Sequence, residues 1–110
     1  SDSFEIKFSS DDAKIYSRVL HLSPELRKVK MTMDQKRQVA TIYDKYITPE
    51  IDKKRRKLWD ATIKVIKQHG GNSAEAKESR SNYNDKFMKP LQDKIDADVQ
   101  SAGIFNKKSD

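Results

Sequence analysis

The stretch from Thr32 to Gly71 constrains this chain most, because it reads as helix with a marked start, a fault and a marked stop. Thr32 with Gln35 three residues on is a capping box: the hydroxyl takes the Gln35 N–H while the amide side chain reaches back. His69-Gly70-Gly71 closes the run with a cation-capable residue in the last turn and glycines suited to a left-handed cap. Thr48-Pro49 is the fault. Proline there removes one i→i−4 bond and crowds a carbonyl one turn back, so the helix must kink or restart. At about 100° per residue, Val39, Ile42, Tyr43 and Tyr46 form one apolar stripe. Ile47, Ile51, Leu58, Thr62, Val65 and Ile66 form a second. The two centres lie about one residue's rotation apart, so a straight rod cannot aim both at one core.

The flanking segments follow the same grammar. Phe4, Ile6 and Phe8 alternate with charged residues, and residues 1–9 read as an extended arm that lays its aromatics on the helices. Ser10-Asp11-Asp12 opens a short helix carrying Ile15, Tyr16, Val19 and Leu20 and ending near Leu22. Ser23-Pro24-Glu25 is a second start with proline at the first helical position, so residues 10–30 hold one or two short helices. After Gly71, Asn72-Ser73-Ala74-Glu75 caps a last long helix over 73–102. Its seam is Ala76, Tyr83, Phe87, Leu91, Ile95, Val99 and Ala102, with Pro90 bending it by removal of the bond to Lys86. Gly103 is the expected cap, Ile104-Phe105 fold back on it, and residues 103–110 form a tail. The predicted fold is all-α. A short N-terminal helix precedes a kinked long helix over 32–70, which pairs with the last helix as a long antiparallel hairpin.

Composition decides how such a fold can be completed. Apolar content is 35% and charged content 36%, low for a compact core, while the periodicity is too regular for disorder. An elongated single domain with a narrow seam, finished by a second copy, reconciles the two, so a homodimer is expected. No run approaches about 18 apolar residues, so no membrane-spanning helix is expected. Cysteine is absent, which excludes disulfides, zinc-thiolate sites and thiol nucleophiles.

Catalytic chemistry has little to work with. His21 reads as packing at the edge of the first helix and His69 as serving a helix terminus; neither has a partner at metal-ligand spacing. The carboxylates are interleaved with lysines at helix-pairing distances, Gly70-Gly71 is not a phosphate loop, and no nucleophile–base pair stands out. A non-enzyme without cofactor or metal is expected.

The net charge of +6 is unevenly placed: thirteen Lys/Arg against five Asp/Glu between Leu26 and Lys67, then five against six between Ser73 and Ala102. The basic half peaks at Lys53-Lys54-Arg55-Arg56-Lys57, five cations that cover all sides of a helix and interrupt its apolar seam at Lys54 and Arg55. Their stems can snorkel over the partner helix with the heads wet. Alternatively the segment stays uncovered and meets an anionic partner: an acidic protein surface, nucleic acid or anionic lipid. Trp59, the only tryptophan, lies beside the run as a half-buried core residue or an exposed anchor. The candidate partner-binding residues are Lys53, Lys54, Arg55, Arg56, Lys57 and Trp59.

Met31-Thr32-Met33-Asp34-Gln35, followed by Lys36, Arg37, Val39 and Ile42, resembles the Leu-Thr-x-x-Gln motif of the Spy/CpxP family of helical stress proteins. Ile47-Thr48-Pro49-Glu50 and Leu22-Ser23-Pro24-Glu25 resemble further partial copies. Met31 stands where the family has leucine, Ile51 where the second motif has glutamine, and no motif closes the last helix. The resemblance covers about a third of the chain. It implies an extracytoplasmic location, with cytoplasmic as the alternative, and a bent-hairpin dimer that holds unfolded polypeptides. The expected function is therefore a non-catalytic binding protein, chaperone-like or stress-sensing. The alternatives are a basic nucleic-acid-binding protein or a structural helical subunit of a larger assembly.

Overall fold

The computed structural model describes residues 10–106, which form helices and turns with no strand among them. The protein is all-α. The predicted arm with Phe4, Ile6 and Phe8, and the last residues of the tail, lie outside the described residues.

Helix α1 spans Ser10–Val19 and is followed by tight turns, His21 N–H to the Arg18 carbonyl and Leu22 N–H to that of Val19, so the helix stops short of Leu22. Helix α2, Pro24–Arg27, is a single turn with proline in its first turn. Ser23 caps it, its Oγ accepting the Leu26 N–H at 3.2 Å. Helix α3 spans Met33–Tyr46 and carries both halves of the capping box: Thr32 N–H donates to Gln35 Oε1 at 2.8 Å, and Gln35 N–H donates to Thr32 Oγ1 at 3.2 Å.

At Ile47 and Thr48 the chain leaves helical geometry, with φ −104° and ψ 79° at Ile47 and extended backbone at Thr48. Thr48 Oγ1 then accepts the Ile51 N–H, and α4 runs over Pro49–His69. Residues 32–70 thus hold two capped helices, not one rod. Gly70 ends α4 at φ 90° and ψ 150°, positive but outside the left-handed helical region.

The last helical limb differs most from its expected form. Helix α5, Ala74–Ser81, passes into a widened π-helical stretch, Asn82–Met88, and then into α6, Lys89–Ala102. The Lys89 N–H reaches back five residues to the Asn84 carbonyl. Pro90 therefore enters in the first turn of α6, directly after the widened stretch. Gly103 closes α6 in the left-handed conformation, φ 66° and ψ 26°.

Polar pairs between the two limbs run in opposite senses along the chain. Thr62 meets Ser79, Arg55 meets Tyr83, Tyr46 meets Asp98, and the Gln35 amide donates to the Ile104 carbonyl. Helix α1 lies along α3, joined by the Arg18–Asp44 ion pair. The core gathers where α2, α3, the π stretch and α6 converge: Leu22, Leu26, Val39, Tyr43, Ile47, Tyr83, Met88, Ile95 and Val99, with Ile104 and Phe105 packed on its flank. Toward Gly70 the seam thins to Thr62 and Ala76, both buried. Thr62 Oγ1 donates to the Leu58 carbonyl at 3.0 Å and lies 2.9 Å from Ser79 Oγ, so this buried hydroxyl is satisfied. The radius of gyration is 16.7 Å, against about 13 Å for a compact chain of this length, so the molecule is extended. No helix of the described residues is long and apolar enough to cross a membrane.

Candidate functional site

An open cleft of about 690 Å³ lies where three elements meet. The turn from α1 into α2 supplies Leu20 and Ser23 and α2 supplies Arg27, α4 supplies Arg55 and Trp59, and the π stretch with α6 supplies Tyr83, Met88 and Gln92. The Gln92 amide fixes the turn by donating to the His21 carbonyl at 3.0 Å, and Ser23 Oγ donates to Asp96 at 3.0 Å. Burial raises the Asp96 pKa despite that bond, with Glu25 and Asp93 nearby adding to the rise.

Trp59 is 42% exposed and lies against Tyr83, ring centroids 5.1 Å apart at 54°. Aromatic faces at that distance attract through tilted geometry. Tyr83 is buried and its oxygen accepts a hydrogen bond from Arg55 Nη1 at 3.2 Å, while Arg55 Nε donates to Asp52 at 2.8 Å. Burial works against the Arg55 charge. The bonds to Tyr83 and Asp52 more than offset it, and the guanidinium pKa lies above its ordinary value. Leu20, half exposed, adds an apolar lip. The charges lining the cleft are mixed: Arg27, Arg55 and Lys89 against Glu25, Asp85 and Asp93. An aromatic and aliphatic floor rimmed by both signs of charge and by amide groups suits an extended amphipathic chain.

The structure divides the predicted partner-binding set. Arg55 and Trp59 enter the cleft. Arg55 is neither snorkelled nor presented to solvent: at 8% exposure it is an interior residue, because its helix angle points at Tyr83. Arg56 is exposed and pairs with Asp52 at 3.4 Å, facing a separate recess of about 370 Å³ between α1 and the α3–α4 junction. Lys53, Lys54 and Lys57 are exposed, with no carboxylate within 4.0 Å among the described residues. Sequence reasoning missed Leu20, Tyr83 and Gln92 as parts of one site, since they are brought to Trp59 only by tertiary packing.

The histidines hold different positions. His21 sits at the junction of the cleft and the smaller recess; burial lowers its pKa, aided by the nearby Arg55 charge and opposed by a hydrogen bond with the Ser17 backbone and by Asp52. His69 Nδ1 lies 3.8 Å from Glu75 at the exit of α4. On α6, Asp98 accepts hydrogen bonds from Tyr46 at 2.6 Å and Lys45 at 3.0 Å, which hold its carboxyl below the usual range. Among the described residues no three His, Asp or Glu side chains converge as metal ligands. Comparison of the chain with family models, curated proteins and solved structures finds no match.

Proposed function

We propose that this chain is a non-catalytic helical binding protein that engages extended segments of other polypeptides in the Trp59–Tyr83 cleft, in a chaperone-like or stress-sensing role. One observation carries the reading: a partly exposed tryptophan tilted against a buried tyrosine at the edge of an open trough with mixed-charge walls. Partly exposed aromatics next to a desolvated cation are the usual anchors of polypeptide recognition. The opposite running of the limb contacts supports a bent antiparallel hairpin with its kink at Thr48-Pro49. The low apolar content and the exposed Leu20, Val29 and Met33 support a homodimer. The Met31–Gln35 resemblance supports the same class of protein and its extracytoplasmic setting.

Trp59 is the sole tryptophan and therefore a built-in reporter. Titration with a reduced, unfolded client should shift its emission to the blue and slow client aggregation at stoichiometric amounts. Trp59→Ala should lose most of the protection while keeping its helical circular dichroism. Unchanged aggregation with the unmodified protein defeats the reading.

A further inference from the structure

We propose that the outward face of α4 is a second binding surface, shaped for the phosphate backbones of double-stranded nucleic acid and separate from the polypeptide cleft. At about 100° per residue, Lys53, Lys57, Lys64 and Lys67 fall within an arc of about 80°. That arc is centred opposite Ile51, Arg55 and Thr62, which face the core side. All four lysines are exposed, and none has a carboxylate within 4.0 Å among the described residues. The row is about 21 Å long at 1.5 Å per residue.

Its internal spacing selects the partner. Lys53 and Lys57 form one pair and Lys64 and Lys67 another, with a gap of about 10 Å in which the only charged side chain on the arc is Asp60. A duplex carries its charge as two backbones with a groove of about 6 or 12 Å between them. Laid across such a groove, each lysine pair meets one backbone and Asp60 lies over the gap, away from phosphate. A uniformly anionic lipid plane would place headgroups beneath Asp60 as well. Such a plane also gains most from apolar side chains that insert beside the cations, whereas the apolar stripe of α4 faces the opposite way. Single strands are held largely by stacking on exposed aromatics, and no aromatic lies on this arc. The contact is electrostatic and reads no sequence.

The test measures binding of a fluorescent duplex of about 20 base pairs by anisotropy over a salt series from about 20 mM upward. Four phosphate contacts predict a log–log slope between about −3 and −4. Replacing Lys53, Lys57, Lys64 and Lys67 together by glutamine, a good helix former, should weaken binding at least tenfold at low salt and flatten the slope; circular dichroism checks the fold. Trp59→Ala should bind the duplex as the unmodified protein does, so this surface and the cleft fail or stand independently. Absence of binding at about 20 mM salt, equal affinity for a single strand of the same length, an unaffected quadruple variant, or capture by phosphatidylglycerol vesicles but not by duplex would each overturn the proposal.

Discussion

At the scale of single residues, Arg55 shows how a charge in the middle of a basic run becomes part of the interior. Its neighbours on either side reach water, but its own position on α4 faces Tyr83, and the guanidinium finds Tyr83 Oη and Asp52 there. Tyr83→Phe keeps the ring against Trp59 and removes the acceptor at Nη1. A buried donor left without a partner costs about 1–3 kcal/mol, so the unfolding free energy from a urea series should fall by that amount, as a lower midpoint with little change in slope. His21 gives the second residue-scale expectation. Its pKa is lowered in the folded protein by burial first and Arg55 next, so the unfolded chain takes up a proton at higher pH than the folded one. The His21 contribution to stability is therefore fully present above about pH 6.5 and is lost as pH falls through the lower folded value. Denaturation series across that window should show this decline, and His21→Gln should remove it. An identical pH profile in the variant would mean that the imidazole titrates as freely in the fold as outside it.

At the scale of elements, what was legible in the sequence is what is decided locally. The capping box at Thr32 and Gln35, the Ser23 cap, and the stop at Thr48-Pro49 all depend on residues within one turn of each other, and all are present. The π stretch was missed although its trace is in the spacing. Tyr83, Phe87, Leu91, Ile95 and Val99 recur every four residues, and four such steps turn a regular helix by about 160° away from its partner. A widened turn over Asn82–Met88 takes back part of that rotation, and it buries Tyr83 and Met88, five apart, on the same side. Met88 had no place in the expected stripe for that reason. The cleft was illegible as a site because its parts meet across long separations, as when Gln92 holds the carbonyl of His21. The end of α4 supplies an element-scale test. Gly70 adopts φ 90° and ψ 150°, a region essentially reserved for glycine, whereas Gly71 has no positive φ and a Cβ there would only reach ordinary contact with Ile66 Cγ2 at 4.0 Å. Gly70→Ala should cost about 1–3 kcal/mol, and Gly71→Ala should stay within about 0.5 kcal/mol. Thermal melts of the two variants side by side check this, and equal melting temperatures would mean that the helix ends in another way.

At the scale of the whole molecule, the question is how a chain with so little apolar material keeps an extended shape. Extents of 54 × 46 × 26 Å describe a slab only about two helices thick, and such a slab has few positions that are shielded on all sides. The buried set is accordingly small and gathered around α2, α3 and α6, while Val29 and Met33 remain exposed just before and at the start of α3. Val29 also edges an apolar hollow of about 260 Å³ formed with Leu26, Val99, Ile104 and Phe105. In the proposed homodimer this end of the slab gains cover from its copy, since a two-fold contact needs only one self-complementary patch. Sedimentation velocity over a hundredfold range of concentration should then show a reversible monomer–dimer boundary. Val29→Lys should move the midpoint to at least tenfold higher concentration, because a charge would have to be buried or the patch opened. The substitution lies in the turn after α2, outside every helix, so the monomer should keep its helical signal and its melting temperature at concentrations below the midpoint. A single species of monomer mass at all concentrations, in both proteins, would instead mean that the thin core suffices on its own.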